Sequence, residues 1–285
     1  MSYLKKIEYS FWKKSQYLLK SNKNLQNIHK GETCFILGNG GSLKNFDLSV
    51  LSNSVTIGCT YSPIDKRLKS SGLTYCIFPS AYLMYPIWKK RNPKTGKKIQ
   101  LNSLAPIFKK IIKENNKTQF FISLTDKYSF LKRPKNINFI YHCGNKKSES
   151  FDMSGSFSTL TGALDSMLGV AKYLGFTKVV LLGCDYLGNP CMEGHFYSNH
   201  KPFVGEYKVN YAKRIRQLAD NLTLDVLTIF PKGISSPAFE SKTFSEYFGV
   251  DEQYYKQSQI LDDDYLELLK KADSKNQVYL SPMLK

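Results

Sequence analysis

The feature that most constrains this chain is an apolar run, residues 33–43, that stops abruptly at glycines. It reads Thr-Cys-Phe-Ile-Leu-Gly-Asn-Gly-Gly-Ser-Leu, which predicts a buried strand, a tight turn and a helix start. Glycines there permit positive φ and let a ligand approach the backbone, and free N–H groups at a helix start favour an anion such as a nucleotide phosphate. Leu43 stands where Gly-x-Gly-x-x-Gly has its third glycine, so an ordinary strand-to-turn junction without a ligand is an alternative interpretation.

The net charge indicates what kind of partner the chain binds, and the cysteines indicate the redox state of its cellular compartment. Lys and Arg number 41 against 23 Asp and Glu, a formal net charge of +18, which favours a nucleotide, nucleic acid, an acidic glycan or an anionic membrane. Six scattered cysteines without Cys-x-x-Cys are typical of a reduced cytosolic protein, and four histidines complete no convincing zinc set. We find no bilayer-spanning apolar run and no signal peptide core, so we expect a cytoplasmic chain with a sizeable core.

Alternating strand and helix patterns predict an α/β fold with a single Rossmann-like, mostly parallel sheet and helices on both faces. After the first strand, the pattern predicts strands at 54–59, 73–78, 119–124, 137–141, 178–183 and 225–230, and helices at 42–51, 104–112, 164–174, 209–222, 239–248 and 260–272. Between 79 and 117, a stretch with Trp88 and a Lys/Arg cluster predicts either a rim over a site or a solvated insertion.

The first thirty residues mix lysines with aromatic and aliphatic residues. Leu4, Ile7, Phe11 and Leu18 have helical spacing, which predicts an apolar stripe with basic flanks. Such a helix suits an anionic membrane surface. Packing on the domain with a solvated basic face is the slightly favoured alternative.

Groups able to do chemistry gather after the strand predicted at 178–183. Asp185 follows it directly, at the edge where ligands of open α/β sheets bind, although a turn-forming carboxylate is an equal alternative. The segment from 187 to 211 then carries His195 and His200, two of the four histidines, with Tyr197 and Tyr207 between and after them. A neutral imidazole can accept a proton from a sugar hydroxyl near pH 7, and phenols can hydrogen-bond a departing phosphate.

Four short motifs, in this order, carry a resemblance to a known family. They are Gly-Asn-Gly-Gly-Ser-Leu at 38–43, Leu-Thr-Gly-Ala at 160–163, Leu-Gly-Cys-Asp-Tyr at 182–186 and Gly-His-Phe-Tyr at 194–197. Over residues 32–237 the chain resembles bacterial CMP-sialic acid dependent sialyltransferases and related flagellin-associated glycosyltransferase-like proteins.

The resemblance implies a metal-independent inverting transferase with a variant GT-A type sheet and a lid around 187–208. It implies no cofactor besides the CMP-sugar donor, His195 as the base with His200 in reserve, and Tyr186, Tyr197 or Tyr207 beside the leaving phosphate. The residues that would bind the donor are Gly38, Asn39, Gly40, Gly41, Ser42, Thr60, Thr161, Gly162 and Asp185. On this view, residues 1–30 form a basic helical segment, 31–240 the catalytic domain and 241–285 a helical extension.

The implied partners are a nucleotide-sugar donor and a glycan or glycolipid acceptor, with peripheral contact at the inner face of an anionic membrane and a homo-oligomer left open. Five residues depart from the family pattern, and they leave the identity of the donor sugar open; they are Gly41, Thr60, Phe78, Ser158 and Leu187.

One alternative function is that of a pyrophosphokinase-like enzyme, which needs a carboxylate cluster to bind magnesium. Residues 262–264, Asp-Asp-Asp, form the only dense carboxylate run of the sequence, and we interpret this run as an exposed helix start. The other is a non-enzymatic basic protein that binds membrane or nucleic acid, and the absence of a nucleic-acid motif disfavours the latter.

Overall fold

The computed structural model describes residues 3–86, 90–91, 98–99, 104–141, 150–158, 162–199 and 201–280. The strands are β1 (Thr33–Leu37), β2 (Thr56–Cys59), β3 (Tyr75–Phe78), β4 (Lys90–Arg91), β5 (Lys98–Ile99), β6 (Gln119–Ser123), β7 (Ile137–Ile140), β8 (Ser150–Phe151), β9 (Phe157–Ser158), β10 (Lys178–Leu182), β11 (Cys191–Glu193), β12 (Phe203–Gly205), β13 (Asp225–Phe230) and β14 (Glu240–Thr243). The α-helices are α1 (Tyr3–Lys20), α2 (Lys66–Ser71), α3 (Ala105–Glu114), α4 (Gly162–Leu174), α5 (Val209–Asn221), α6 (Phe244–Phe248), α7 (Gln257–Ile260) and α8 (Asp263–Leu280).

Eight strands form one parallel sheet in the order β14-β13-β10-β1-β2-β3-β6-β7. From β1 the chain adds β2, β3, β6 and β7 in turn toward one edge of the sheet. It later returns and adds β10 on the other side of β1. The strand order therefore reverses between β1 and β10, and ligands of such sheets bind beside the carboxyl ends of the strands at this reversal. The predicted α/β fold class is confirmed.

Helices cover both faces because the central strands are apolar on both sides. One face of the sheet packs against α3, α6, α8 and the end of α1, where Leu18 and Leu19 are buried. The other face packs against α4 and α5. The end of the N-terminal helix therefore packs on the sheet, and no helix in the described ranges combines the length and the apolarity that a bilayer crossing requires.

Two helix predictions were wrong in part. The predicted helix at 42–51 is two short 3₁₀ helices, Gly41–Asn45 and Leu48–Leu51, because the Ser42 amide bonds to a distant side chain and Asp47 caps a new turn. The predicted helix at 239–248 begins as the edge strand β14, which pairs with β13. Thr243 then caps α6 in a capping box with Glu246.

Candidate active site

The loops after β1 and β10 touch at the point where the strand order reverses. Leu37 pairs with Leu182 at the ends of the two strands. Beyond them the Gly38 amide donates to the Leu182 carbonyl at 2.8 Å, and the Gly40 amide donates to the Gly183 carbonyl at 2.9 Å. Residues 143 positions apart are thereby brought to one edge of the sheet.

The glycines of the first loop are required by this contact and not by unusual φ angles. None of Gly38, Gly40 and Gly41 has positive φ. A Cβ on Gly38 would lie 2.2 Å from the Gly183 oxygen, and one on Gly40 would lie 2.4 Å from an Asp185 oxygen. The expectation that these glycines supply positive φ is therefore wrong, and the protein's own chain already occupies the space beside them.

The backbone amides of this loop are also largely in use. Besides the amides of Gly38 and Gly40, the Gly41 amide donates to the Gly194 carbonyl at 3.1 Å and the Ser42 amide to Asp185 Oδ2 at 2.9 Å. The expectation of free amide donors is wrong for these four residues. A phosphate bound here therefore needs donors other than these four amides.

Asp185 joins the two loops. One carboxylate oxygen accepts from the Ser42 amide and the other from Ser42 Oγ. The side chain is 5% exposed, and burial raises its pKa to about 6 although the Ser42 hydrogen bonds favour the charged form. In this structure Asp185 holds the β1 loop in place, and this Ser42–Asp185 pair is called the tether below.

The Asn39 side chain lies beside the end of β2. Its Nδ2 donates to Thr60 Oγ1 at 2.9 Å, and Ser62 Oγ is 3.5 Å from its Oδ1. Thr60 has φ of +40°, a backbone conformation that costs of the order of 1–3 kcal/mol for a residue with a side chain and concentrates at functional sites. Sequence reasoning missed Ser62, which Gly58 admits by its lack of a Cβ.

His195 lies directly against Asn39. Its Nδ1 is 3.2 Å from the Asn39 carbonyl oxygen, and the Phe196 amide donates to the same oxygen. A carbonyl only accepts, so Nδ1 carries the proton and Nε2 keeps its lone pair. Burial lowers the pKa of the imidazole, which favours the neutral form that a general base needs.

The three tyrosines predicted for the site differ in exposure and in packing contacts. Tyr197 stacks on His195 at 5.0 Å between ring centroids and also packs on Tyr61. Tyr186 is 44% exposed beside the tether and makes an edge contact with Tyr211, whereas Tyr207 packs against the α4–α5 side of the core. Of the three, Tyr186 is the phenol presented most openly at the carboxyl edge.

The remaining predicted residues are distributed as follows. Gly162, with φ of +67°, opens α4 at the carboxyl edge of the sheet, and Thr161 and His200 lie outside the described residues. Phe78 and Leu187, two departures from the family pattern, are fully buried in the core. Their side chains are therefore used for packing.

Lys44 was missed by sequence reasoning because nothing in its neighbourhood indicates burial. It is 1% exposed, its Nζ donates to the Ser198 carbonyl at 2.6 Å, and burial lowers its pKa. Ser198 in turn donates its amide to the His195 carbonyl. Lys44 therefore supports the segment that carries His195 from beneath.

The acidic run begins α8, as predicted. Asp262 pairs with Lys69 and Asp264 with Lys110, and Asp263 is exposed. In the described part of the chain, no group of three or more His, Cys, Asp or Glu side chains is arranged to hold a metal ion.

Comparisons with known proteins give structural likeness only. No family model matches the chain, and no curated protein matches it significantly. Its structure is similar to the sialyltransferase CstII from Campylobacter jejuni in complex with cytidine-5'-monophosphate, with 16% identity, a TM-score of 0.44 and coverage of 87% of this chain and 99% of that one. It is also similar to CstII in complex with CMP-3FNeuAc (14%, TM-score 0.39, 87% and 99%) and to an apo α-2,3-sialyltransferase from Campylobacter jejuni (14%, TM-score 0.36, 85% and 95%).

Proposed function

We propose that this protein is a metal-independent inverting glycosyltransferase that moves sialic acid or a related nonulosonic acid from a CMP-activated donor to a glycan acceptor. The observation that carries the proposal is the contact between His195 Nδ1 and the Asn39 carbonyl. It joins the two motifs of the family resemblance that are farthest apart in the sequence, and it leaves the lone pair of Nε2 for a base at the carboxyl edge of the sheet.

In this mechanism His195 Nε2 takes the proton of an acceptor hydroxyl. The acceptor oxygen bonds to the anomeric carbon as the carbon–oxygen bond to the phosphate breaks, and CMP leaves with the electron pair. Hydrogen bonds aimed at the leaving phosphate supply the second contribution, for which Tyr186 is the best-exposed donor. Asn39 and Thr60 are assigned to the donor, and Asp185 acts as a positioning residue through the tether.

Ligand binding is tested with a thermal-shift panel of CMP, CDP, UDP, GDP and ATP, each with and without Mg²⁺. A ligand that binds the folded state raises Tm according to its affinity. We expect stabilisation by CMP without added metal. A preference for ATP with Mg²⁺, or no response to any cytidine nucleotide, would contradict the proposal.

The base is tested with His195→Asn, because an Asn side chain can still donate toward the Asn39 carbonyl but has no basic nitrogen. We expect CMP binding to persist and turnover of CMP-N-acetylneuraminic acid with galactoside acceptors to fall by a factor of about 100 to 10,000. His29→Asn is the control, since His29 lies before β1 at the opposite edge, where it contacts Glu32 and Tyr75. Full turnover in His195→Asn would exclude the role. If that variant does not fold, His195→Gln serves the same purpose.

A further inference from the structure

A basic cleft lies beside the β7 edge of the sheet, away from the candidate active site. It has a volume of about 850 Å³ between α3 and the segment that connects β6 to β7. Five lysines and no acidic residue are among its described lining residues; the lysines are Lys109, Lys113, Lys117, Lys132 and Lys135. None of the five forms an ion pair within the described part of the chain.

Exposed apolar side chains border the same cleft. Leu131 stands between the lining residues Phe130 and Lys132 and is fully exposed. Tyr128 is 70% exposed and Tyr17, on α1, is 63% exposed. Lys127 links them, with its Nζ 4.9 Å from the centre of the Tyr128 ring and 5.5 Å from that of Tyr17.

The basic surface continues onto α1. Lys127 Nζ is 3.4 Å from Ser15 Oγ, which places the second half of α1 beside the connecting segment. Lys13, Lys14 and Lys20 are exposed on this half of the helix. Cationic side chains interspersed with exposed aromatic and aliphatic ones are typical of a surface that lies on an anionic bilayer.

We propose that this basic cleft, with Leu131, Tyr128 and the exposed side of α1, is a membrane-binding surface whose partner is an anionic phospholipid bilayer. The lysines meet lipid phosphates, and Leu131 enters the boundary between headgroups and acyl chains. The exposed Leu131 favours a bilayer over a soluble polyanion, which offers a leucine no apolar surroundings. The cleft lies beside β6 and β7, and the candidate active site lies at β1; at about 4.8 Å per strand, β6 is about 14 Å and β7 about 19 Å from β1. The proposed membrane-binding surface is therefore separate from the candidate active site, and the proposal does not depend on the transferase reaction.

The test is co-sedimentation of the whole chain with vesicles of phosphatidylcholine alone or mixed with phosphatidylglycerol. We expect binding to the mixed vesicles only. The variant Lys113→Gln, Lys117→Gln, Lys132→Gln, Lys135→Gln should lose at least about a hundredfold in partitioning, because each lysine near an anionic surface contributes about fivefold. Leu131→Ser should also bind more weakly.

The matched control removes four exposed lysines elsewhere, at Lys213, Lys232, Lys242 and Lys270, and should retain most of the binding. Circular dichroism spectra and thermal unfolding without ligand check that each variant is folded. Equal losses in the two quadruple variants would mean that net charge alone acts, and would overturn the proposal. It would also be overturned if the chain bound neither vesicle, if it bound heparin but not vesicles, or if Leu131→Ser bound as the unmodified chain does.

Discussion

The tether between Ser42 and Asp185 provides the sharpest test of how the candidate active site is assembled. Ser42→Ala removes the Oγ–H donor and leaves the backbone amide bond in place. A hydrogen bond to a charged group is worth about 1.5–3 kcal/mol and a bond between neutral groups about 0.5–1.5 kcal/mol. The cost of the substitution therefore depends on whether Asp185 is ionised.

The sign of the pH dependence follows from the raised pKa of Asp185. The folded protein holds this proton more tightly than the unfolded chain, so ionisation lowers stability as pH rises from the ordinary value of 3.8 to about 6. Ser42 opposes that loss by bonding to the charged form. We expect Ser42→Ala to lower the free energy of unfolding by about 2 kcal/mol at pH 7.5 and by about 1 kcal/mol at pH 5.

The assay is urea denaturation followed by circular dichroism at both pH values. Each variant is compared with the unmodified chain at the same pH, so titration of other groups cancels. Ser52→Ala, at an exposed position, is the control and should change stability by less than about 0.5 kcal/mol. An equal cost at both pH values, or a larger cost at pH 5, would refute this account of the tether.

Two further stability predictions use the same assay. Arg214 pairs with the fully buried Asp165 through two bonds of 2.6 and 2.8 Å, so Arg214→Ala should lower the free energy of unfolding by about 3 kcal/mol. Arg216→Ala, on the same helix, loses only exposed bonds, to Asp220 and to the Ala238 carbonyl, and should cost less than about 1 kcal/mol. Similar costs would contradict the role assigned to burial. Gly40→Ala places a Cβ 2.4 Å from a tether oxygen and 2.5 Å from a backbone carbonyl, and we expect a loss of about 1–3 kcal/mol and weaker CMP binding; unchanged stability would show that the loop can move.

Seven of the eight strands of the parallel sheet and most helices could be predicted because their signals are local. Runs such as Val179 to Leu182 are apolar on both faces, as a central parallel strand requires. The short 3₁₀ turns after β1 and the edge strand β14 could not, because long-range partners decide them: Asp185 for the first and β13 for the second. Local propensity says nothing about either partner.

By itself, the sequence determined the fold class, and it predicted that the ends of β1 and β10 and His195 belong to one site. Only the tertiary structure decided which contacts each group makes there. Gly38 and Gly40 serve contact with the β10 loop, and the tether joins residues 143 positions apart. The Asn39 carbonyl accepts from His195 Nδ1, so the lone pair of the imidazole is on Nε2. The physical reason is that hydrogen-bond partners and excluded volume are set by distances in space, and the pattern along the chain does not encode those distances.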